Sequence, residues 1–259
     1  MKENNSVAIV NAAKQSFEQV LSSDKYKSII KDDRHLNLLM DMIEAKDEDR
    51  ILDIGTGTGY LAFPLAEKYI DCKVCGIDIA EKIVEGNNKS ANEFGLKNLK
   101  FISYDGIDFP FHWMSYEWMV TRYAIHHFPE IEKMLERLSE ILCEGGHFLL
   151  SDPVRNINDK RRVIDRFMNV KQDGHVGFYL PSELEELFAY NDMYLEKKVM
   201  TKMKFPFPKK QKYIDIYNDL TDEEKEMYKV HIKDDIVWIG EIEVANMVFI
   251  KEGERTFEI

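Results

Sequence analysis

Long apolar runs are missing from this chain. The longest, such as Met247-Val248-Phe249-Ile250, hold only a few residues, far short of the roughly 20 needed to cross a bilayer as a helix. The first residues, Met1-Lys2-Glu3-Asn4-Asn5-Ser6, lead into mixed polar sequence with no apolar signal core. Basic charge is also in deficit. Against 47 Asp and Glu stand 35 Lys and Arg, a formal net charge of −12 that repels phosphate backbones and anionic membrane surfaces and makes nucleic acid an unlikely partner on charge grounds. Cysteine is scarce too: Cys72, Cys75 and Cys143 cannot all pair, which points to reduced thiols and a cytoplasmic protein. Cys72 and Cys75 have C-x-x-C spacing, but they fall in a strand-like run, where positions an odd number apart face opposite sides. They read as buried structural thiols rather than a redox pair or half a zinc site.

What the chain does have is enough apolar residues, 44% of 259, to build one large domain. Residues 1–48 carry Leu36, Leu39, Met40 and Ile43 at helical spacing and form an N-terminal helical segment, a possible lid. From residue 49 strands and helices alternate. Strands are expected at Ile51–Ile54, Val74–Ile77, Leu99–Ile102, Trp118–Thr121 and His147–Leu150. Helices are expected through Leu61–Ala66, Ala80–Phe94 and Ile131–Leu142, the last stopped by Gly145-Gly146. Such alternation implies βαβ crossovers and a doubly wound α/β sheet covered on both faces. Beyond Asp152 come helical stretches at Asp159–Met168 and Pro181–Phe188, with Ser182 as a plausible N-cap, and strand-like stretches at Tyr194–Met203 and Ile242–Lys251. Without a Gly/Ser linker, residues 154–259 complete the sheet begun by 49–153.

The chemistry is concentrated in Asp53-Ile-Gly55-Thr56-Gly57-Thr-Gly59, a strand running into a glycine turn and a helix. Glycines let a ligand approach bare backbone, and a helix start offers unpaired N–H donors. Asp78, at the end of the second strand, is placed to accept ribose hydroxyls. A dinucleotide fingerprint needs its third glycine at position 60, where Tyr60 stands, and Asp53 bordering the ligand would repel a pyrophosphate but attract a cation.

With these residues in place, the chain resembles the class I S-adenosylmethionine-dependent methyltransferases across residues 48–153. The resemblance implies a Rossmann-like sheet of about seven strands, mostly parallel with the last antiparallel. It implies a cofactor half, 49–153, and a substrate half, 154–259. It also implies S-adenosylmethionine as cofactor, bound by Asp53, Gly55, Thr56, Gly57, Gly59 and Asp78, with Ile79 packing on adenine. In the loop Asp105-Gly106-Ile107 the carboxylate of Asp105 would face the adenine amino group. The stretch Arg122-Tyr-Ala-Ile-His126-His127 is similar to a pattern in the branch related to ubiquinone and menaquinone C-methyltransferases. Arg122 joins the expected cofactor set. His126, at the carboxyl edge where open sheets bind ligands, is a candidate general base or else a residue that packs under the following helix and orients the loop. Residues 202–230 have no counterpart in the quinone enzymes.

The expected activity is methyl transfer to a small-molecule acceptor. A non-catalytic binder of S-adenosylmethionine or S-adenosylhomocysteine would share the site, and an NAD-dependent oxidoreductase is a further alternative. Phe109-Pro-Phe-His-Trp113 and Tyr116 could line the transfer pocket, because aromatic faces attract a sulfonium. The lysines from Lys197 to Lys212, interleaved with Phe205 and Phe207, read as solvated surface or a lid insertion rather than an RNA patch.

Overall fold

Burial on both faces identifies the central strands. In β1 (Arg50–Ile54), Ile51 joins one core with Leu39, Leu65 and Val74, while Leu52 and Ile54 join the opposite core with Leu135 and Phe148. That is the pattern of parallel strands sandwiched between helices. Cys72 and Cys75 divide in the same way, one into each core, as free buried thiols. The computed structural model describes residues 2–20 and 32–253; residues 1, 21–31 and 254–259, parts of the expected 1–48 segment and 154–259 half, lie outside them.

The chain starts with helices α1 (Lys2–Val20) and α2 (Asp33–Asp41), the latter capped by Asp32, whose carboxylate accepts from the Arg34 and His35 amides. After β1 come α3 (Ala62–Lys68), β2 (Lys73–Asp78), α4 (Glu81–Glu93), β3 (Leu99–Ser103) and β4 (Tyr116–Arg122). A single 3-10 turn (Ile125–His127) leads to α5 (Ile131–Ile141) and β5 (Leu142–Val154). The helix α5 ends before Gly145-Gly146 because Leu142 already pairs with Tyr116 of β4, so the sheet and not the glycines stops it.

Then follow α6 (Val163–Asn169), α7 (Pro181–Ala189), β6 (Met193–Pro206), α8 (Gln211–Asp219), α9 (Asp222–Tyr228), β7 (His231–Lys233) and β8 (Ile236–Lys251). Pro181 opens α7, and Glu183 reaches back to accept the Leu180 amide at 2.7 Å, so Ser182 is not the N-cap. The sheet runs β3-β2-β1-β4-β5-β8-β6, with β7 on β8: eight strands among the described residues, one more than expected, β8 antiparallel to β5. Because β1 pairs with β2 on one side and β4 on the other, the strand order reverses there, and a crevice opens at the carboxyl ends.

The last third joins the sheet through β6 and β8, while α6, α8 and α9 wrap a small separate core around Phe167, Phe207 and Tyr213. Both sheet edges are guarded. At β3 the Asn88 side chain pairs with both the N–H and the carbonyl of Phe101, occupying the groups a further strand would use. On β6 the lysines are paired, Lys197 with Glu44, Lys198 with Glu185 and Lys202 with Glu241. No helix of the described residues is long and apolar enough to cross a membrane.

Candidate active site

The crevice at the switch point is a cleft enclosing about 950 Å³ of space between atoms, its open mouth included. Its floor is the loop after β1. Gly57 has φ +51°, and a Cβ placed on it would meet nothing within 4 Å, so the backbone there lies bare to the cleft. Gly55, Thr56, Asp53, Asp78, Ile79, Gly106 and Arg122 also line this space.

Asp78 is buried at the end of β2. Its Oδ2 accepts the Gly57 amide at 2.8 Å and its Oδ1 the Ala80 amide at 3.0 Å. Each carboxylate oxygen can accept more than one hydrogen bond, and this carboxylate borders the cleft. Burial raises its pKa, partly offset by those amides.

Asp53 is buried as well, and its pKa is pushed up to about 7, chiefly by desolvation. The Thr56 hydroxyl, at 2.6 Å from Oδ2, and the Ala62 amide oppose the shift. The nearby cation is Arg122, whose guanidinium is sandwiched between the rings of Tyr60 and Tyr123 at 3.9 and 4.0 Å. A buried acid and a stacked guanidinium therefore stand at one end of the cleft, a pair of opposite charges suited to an amino-acid zwitterion.

Four expected site residues stand elsewhere. Gly59 packs under Phe63 at the start of α3, where a Cβ would come within 2.5 Å of the ring, so it shapes the turn without lining the cleft. Asp105 is exposed and spends Oδ1 on the amides of Ile107 and Asp108, both at 2.8 Å; it closes its own loop. Ile107 points to solvent at 51% exposure. The wall on that side is made instead by Tyr104, stacked on Phe109 with centroids 5.4 Å apart. Phe109 and Tyr116 are core and Trp113 is 70% exposed, so the expected aromatic run does not line the cleft.

The fourth is His126. Its Nδ1 lies 2.8 Å from Oδ2 of Asp152, and its ring is enclosed by His127, His175 and Phe178. Burial pushes His126 down and Asp152 up, driving the pair toward its uncharged form. The cleft wall belongs to its neighbour His127, whose buried Nδ1 has no hydrogen-bond partner among the described residues and whose pKa burial also lowers. The 3-10 turn explains the exchange, since consecutive residues there point in different directions. No cluster of metal-ligating type occurs among the described residues, these histidines included.

A roof completes the site. Val10, Ala13 and Phe17 share one face of α1 and line the cleft from above. Val10 sits against Gly106, where a Cβ would come within 2.7 Å of it, and Phe17 meets His127 edge-on at 5.0 Å. Ser6 donates to Glu130 and Lys14 pairs with Glu81, which holds α1 across the opening.

A bare glycine loop, an acid at the end of β2 and a roofed crevice at the switch point agree with the comparisons to known proteins. A methyltransferase domain family model matches residues 45–229, and the chain belongs to that family. It is 30% identical over 162 residues to the uncharacterized methyltransferase YcgJ of Bacillus subtilis, covering 61% of this chain and 62% of that one. It is 35% identical over 118 residues to the aklanonic acid methyltransferase DauC of Streptomyces sp., covering 45% and 53%. The alignments thus span less than two thirds of these relatives. The crystal structure of YcgJ superimposes with a TM-score of 0.75 over 86% of this chain and all of that one, at 22% identity.

Proposed function

We propose that this chain transfers a methyl group from S-adenosylmethionine to a small-molecule acceptor. The observation that carries the reading is the buried carboxylate of Asp78, which borders the cleft beside the bare Gly57 backbone. A ribose diol fits that carboxylate. Ile79 and Tyr104 supply apolar walls for adenine, while Asp53 and Arg122 suit the ammonium and carboxylate of the amino-acid end. A pyrophosphate would instead meet the buried Asp53, and Tyr60 occupies the place of a third dinucleotide glycine.

S-adenosylmethionine supplies an electrophilic methyl on a sulfonium, so the protein's own tasks are to orient two molecules and exclude water. The roof of Val10, Ala13 and Phe17 serves exclusion and limits the acceptor to a small molecule; DauC, named for aklanonic acid, supports that class. His127 lines the same space as a neutral imidazole and is the candidate base for an acceptor that arrives as a hydroxyl, amine or acidic carbon. Three free thiols fit a reducing compartment, the cytoplasm.

Calorimetry with S-adenosylhomocysteine and NAD tests the cofactor, and labelled methyl transfer into a metabolite library tests the reaction. We expect micromolar binding of the former, about −8 kcal/mol. NAD binding without it would refute the reading, and binding without transfer to any acceptor would favour a non-catalytic holder of the cofactor.

A further inference from the structure

Behind Arg122 lies a polar chain that crosses the sheet. Arg122 Nε donates to Nδ1 of His35, a buried residue of α2, at 3.4 Å, and the Tyr123 hydroxyl lies 3.4 Å from the same nitrogen. On the other side of the ring, Nε2 is 2.8 Å from Oδ1 of Asn246, which also accepts the Ser151 hydroxyl at 2.8 Å. The Asn246 amide nitrogen donates to the Val199 carbonyl at 2.9 Å and to Thr201 Oγ1 at 3.0 Å. Asn246 sits in β8 opposite Ser151 of β5 and Val199 of β6.

This chain has only one consistent direction. Donation to Val199 and Thr201 fixes the amide orientation, so Oδ1 faces His35 and requires a hydrogen on Nε2. In a neutral ring Nδ1 is then the acceptor that the Arg122 Nε–H needs. Tyr123 stacks on the ring with centroids 5.8 Å apart, and burial, with Arg122 adding to it, lowers the pKa of His35 against the opposing pull of Asn246 and Asp32.

We propose that His35 is a positioning residue for the cofactor: locked as the Nε2–H tautomer by Asn246, it holds the Arg122 guanidinium in place for the carboxylate of the bound amino-acid end. This rests on the reading of Arg122 given above. The sandwich of Tyr60 and Tyr123 fixes the guanidinium plane, and His35 fixes its rotation within that plane.

The test compares S-adenosylhomocysteine with 5′-methylthioadenosine, which keeps the adenosine and thioether but has no amino-acid end. His35→Gln retains a donor for Asn246 and lacks the acceptor at the Nδ1 position; His35→Asn retains that acceptor. We expect His35→Gln to weaken S-adenosylhomocysteine about ten-fold, the scale of one hydrogen bond to a charged group, with 5′-methylthioadenosine within about two-fold and His35→Asn closer to wild type. Asn246→Asp, far from the cleft, stabilises the imidazolium, which sets an N–H against Arg122. Its selective loss of S-adenosylhomocysteine should therefore grow as the pH falls from about 8 to 6. Equal losses for both ligands, or none, would reduce His35 to packing. If Arg122→Gln leaves the ratio of the two affinities unchanged, the reading of Arg122 fails and the inference with it. If neither ligand binds the wild type, the cofactor reading itself fails.

Discussion

Asp53 and Thr56 face each other across the first turn after β1, with the threonine hydroxyl donating at 2.6 Å to a carboxylate that burial has brought to a pKa of about 7. The unfolded carboxyl ionises near the ordinary aspartate value of 3.8, so between that pH and about 7 the folded state holds the extra proton. Stability contributed by this group is therefore greatest at low pH and falls as the pH rises through that window. A displacement of this size corresponds to about 4 kcal/mol as an upper bound. Asp53→Asn should melt higher than wild type above pH 7, with the gap closing toward pH 4. A gap that stays constant with pH would show that Asp53 does not titrate there. In the same variant, S-adenosylhomocysteine should bind about ten-fold more weakly at pH 7.5, because the ammonium loses its buried counter-charge.

The cleft floor was legible because the strand, glycine turn and helix are consecutive and the acid stands at the end of the next strand. Residues Asp53, Gly55, Thr56, Gly57 and Asp78 all border the cleft. What escaped depends on rotation or on distance in sequence. No spacing rule says which of two adjacent histidines in a 3-10 turn faces a cleft, and Asp105 closes its own loop through an Asx turn that competes with any ligand role. Val10, Ala13 and Phe17 are readable as one helical face, but only the tertiary structure shows that this face covers the cleft.

Asp78→Ala should abolish the ribose contacts and weaken S-adenosylhomocysteine by at least about ten-fold, since each hydrogen bond to a charged group contributes roughly 1.5–3 kcal/mol. Asp105→Ala should leave affinity within about three-fold, because its carboxylate serves Ile107 and Asp108. Titration calorimetry on both variants decides the matter, and the reverse order would move the ribose site to the loop after β3.

The two histidines should separate cleanly. His126→Ala leaves the buried Asp152 carboxyl without its side-chain hydrogen-bond partner, which costs about 1–3 kcal/mol, so its main readout is a lowered melting temperature. His127→Ala should keep the melting temperature and S-adenosylhomocysteine affinity near wild type, yet slow transfer by about 10²–10⁴-fold for an acceptor that arrives protonated. Because burial holds the pKa of His127 well below that of free imidazole, the wild-type rate should stay flat from pH 6.5 to 8. A rate that rises with an ordinary imidazole titration across that range would exclude His127 as the base.

The roof gives the last prediction. Phe17 contributes an edge-on contact to His127 and an apolar wall to the cleft, while Asp78 and Gly57 sit at the end of β2 and in the turn after β1. Phe17→Ala should therefore leave the ribose and adenine contacts intact and open the methyl-transfer end to water. Affinity for S-adenosylhomocysteine should change by less than about three-fold, whereas the acceptor KM should rise and kcat fall, because exclusion of water and positioning act on the reacting end. Val10→Ala, beside Gly106 at the adenine side, should show the opposite split, with cofactor affinity reduced and kcat at saturating cofactor preserved. Steady-state kinetics of the two variants with one acceptor provide the check. Identical effects from both would mean that α1 acts as a single cover, with no division between a cofactor end and an acceptor end.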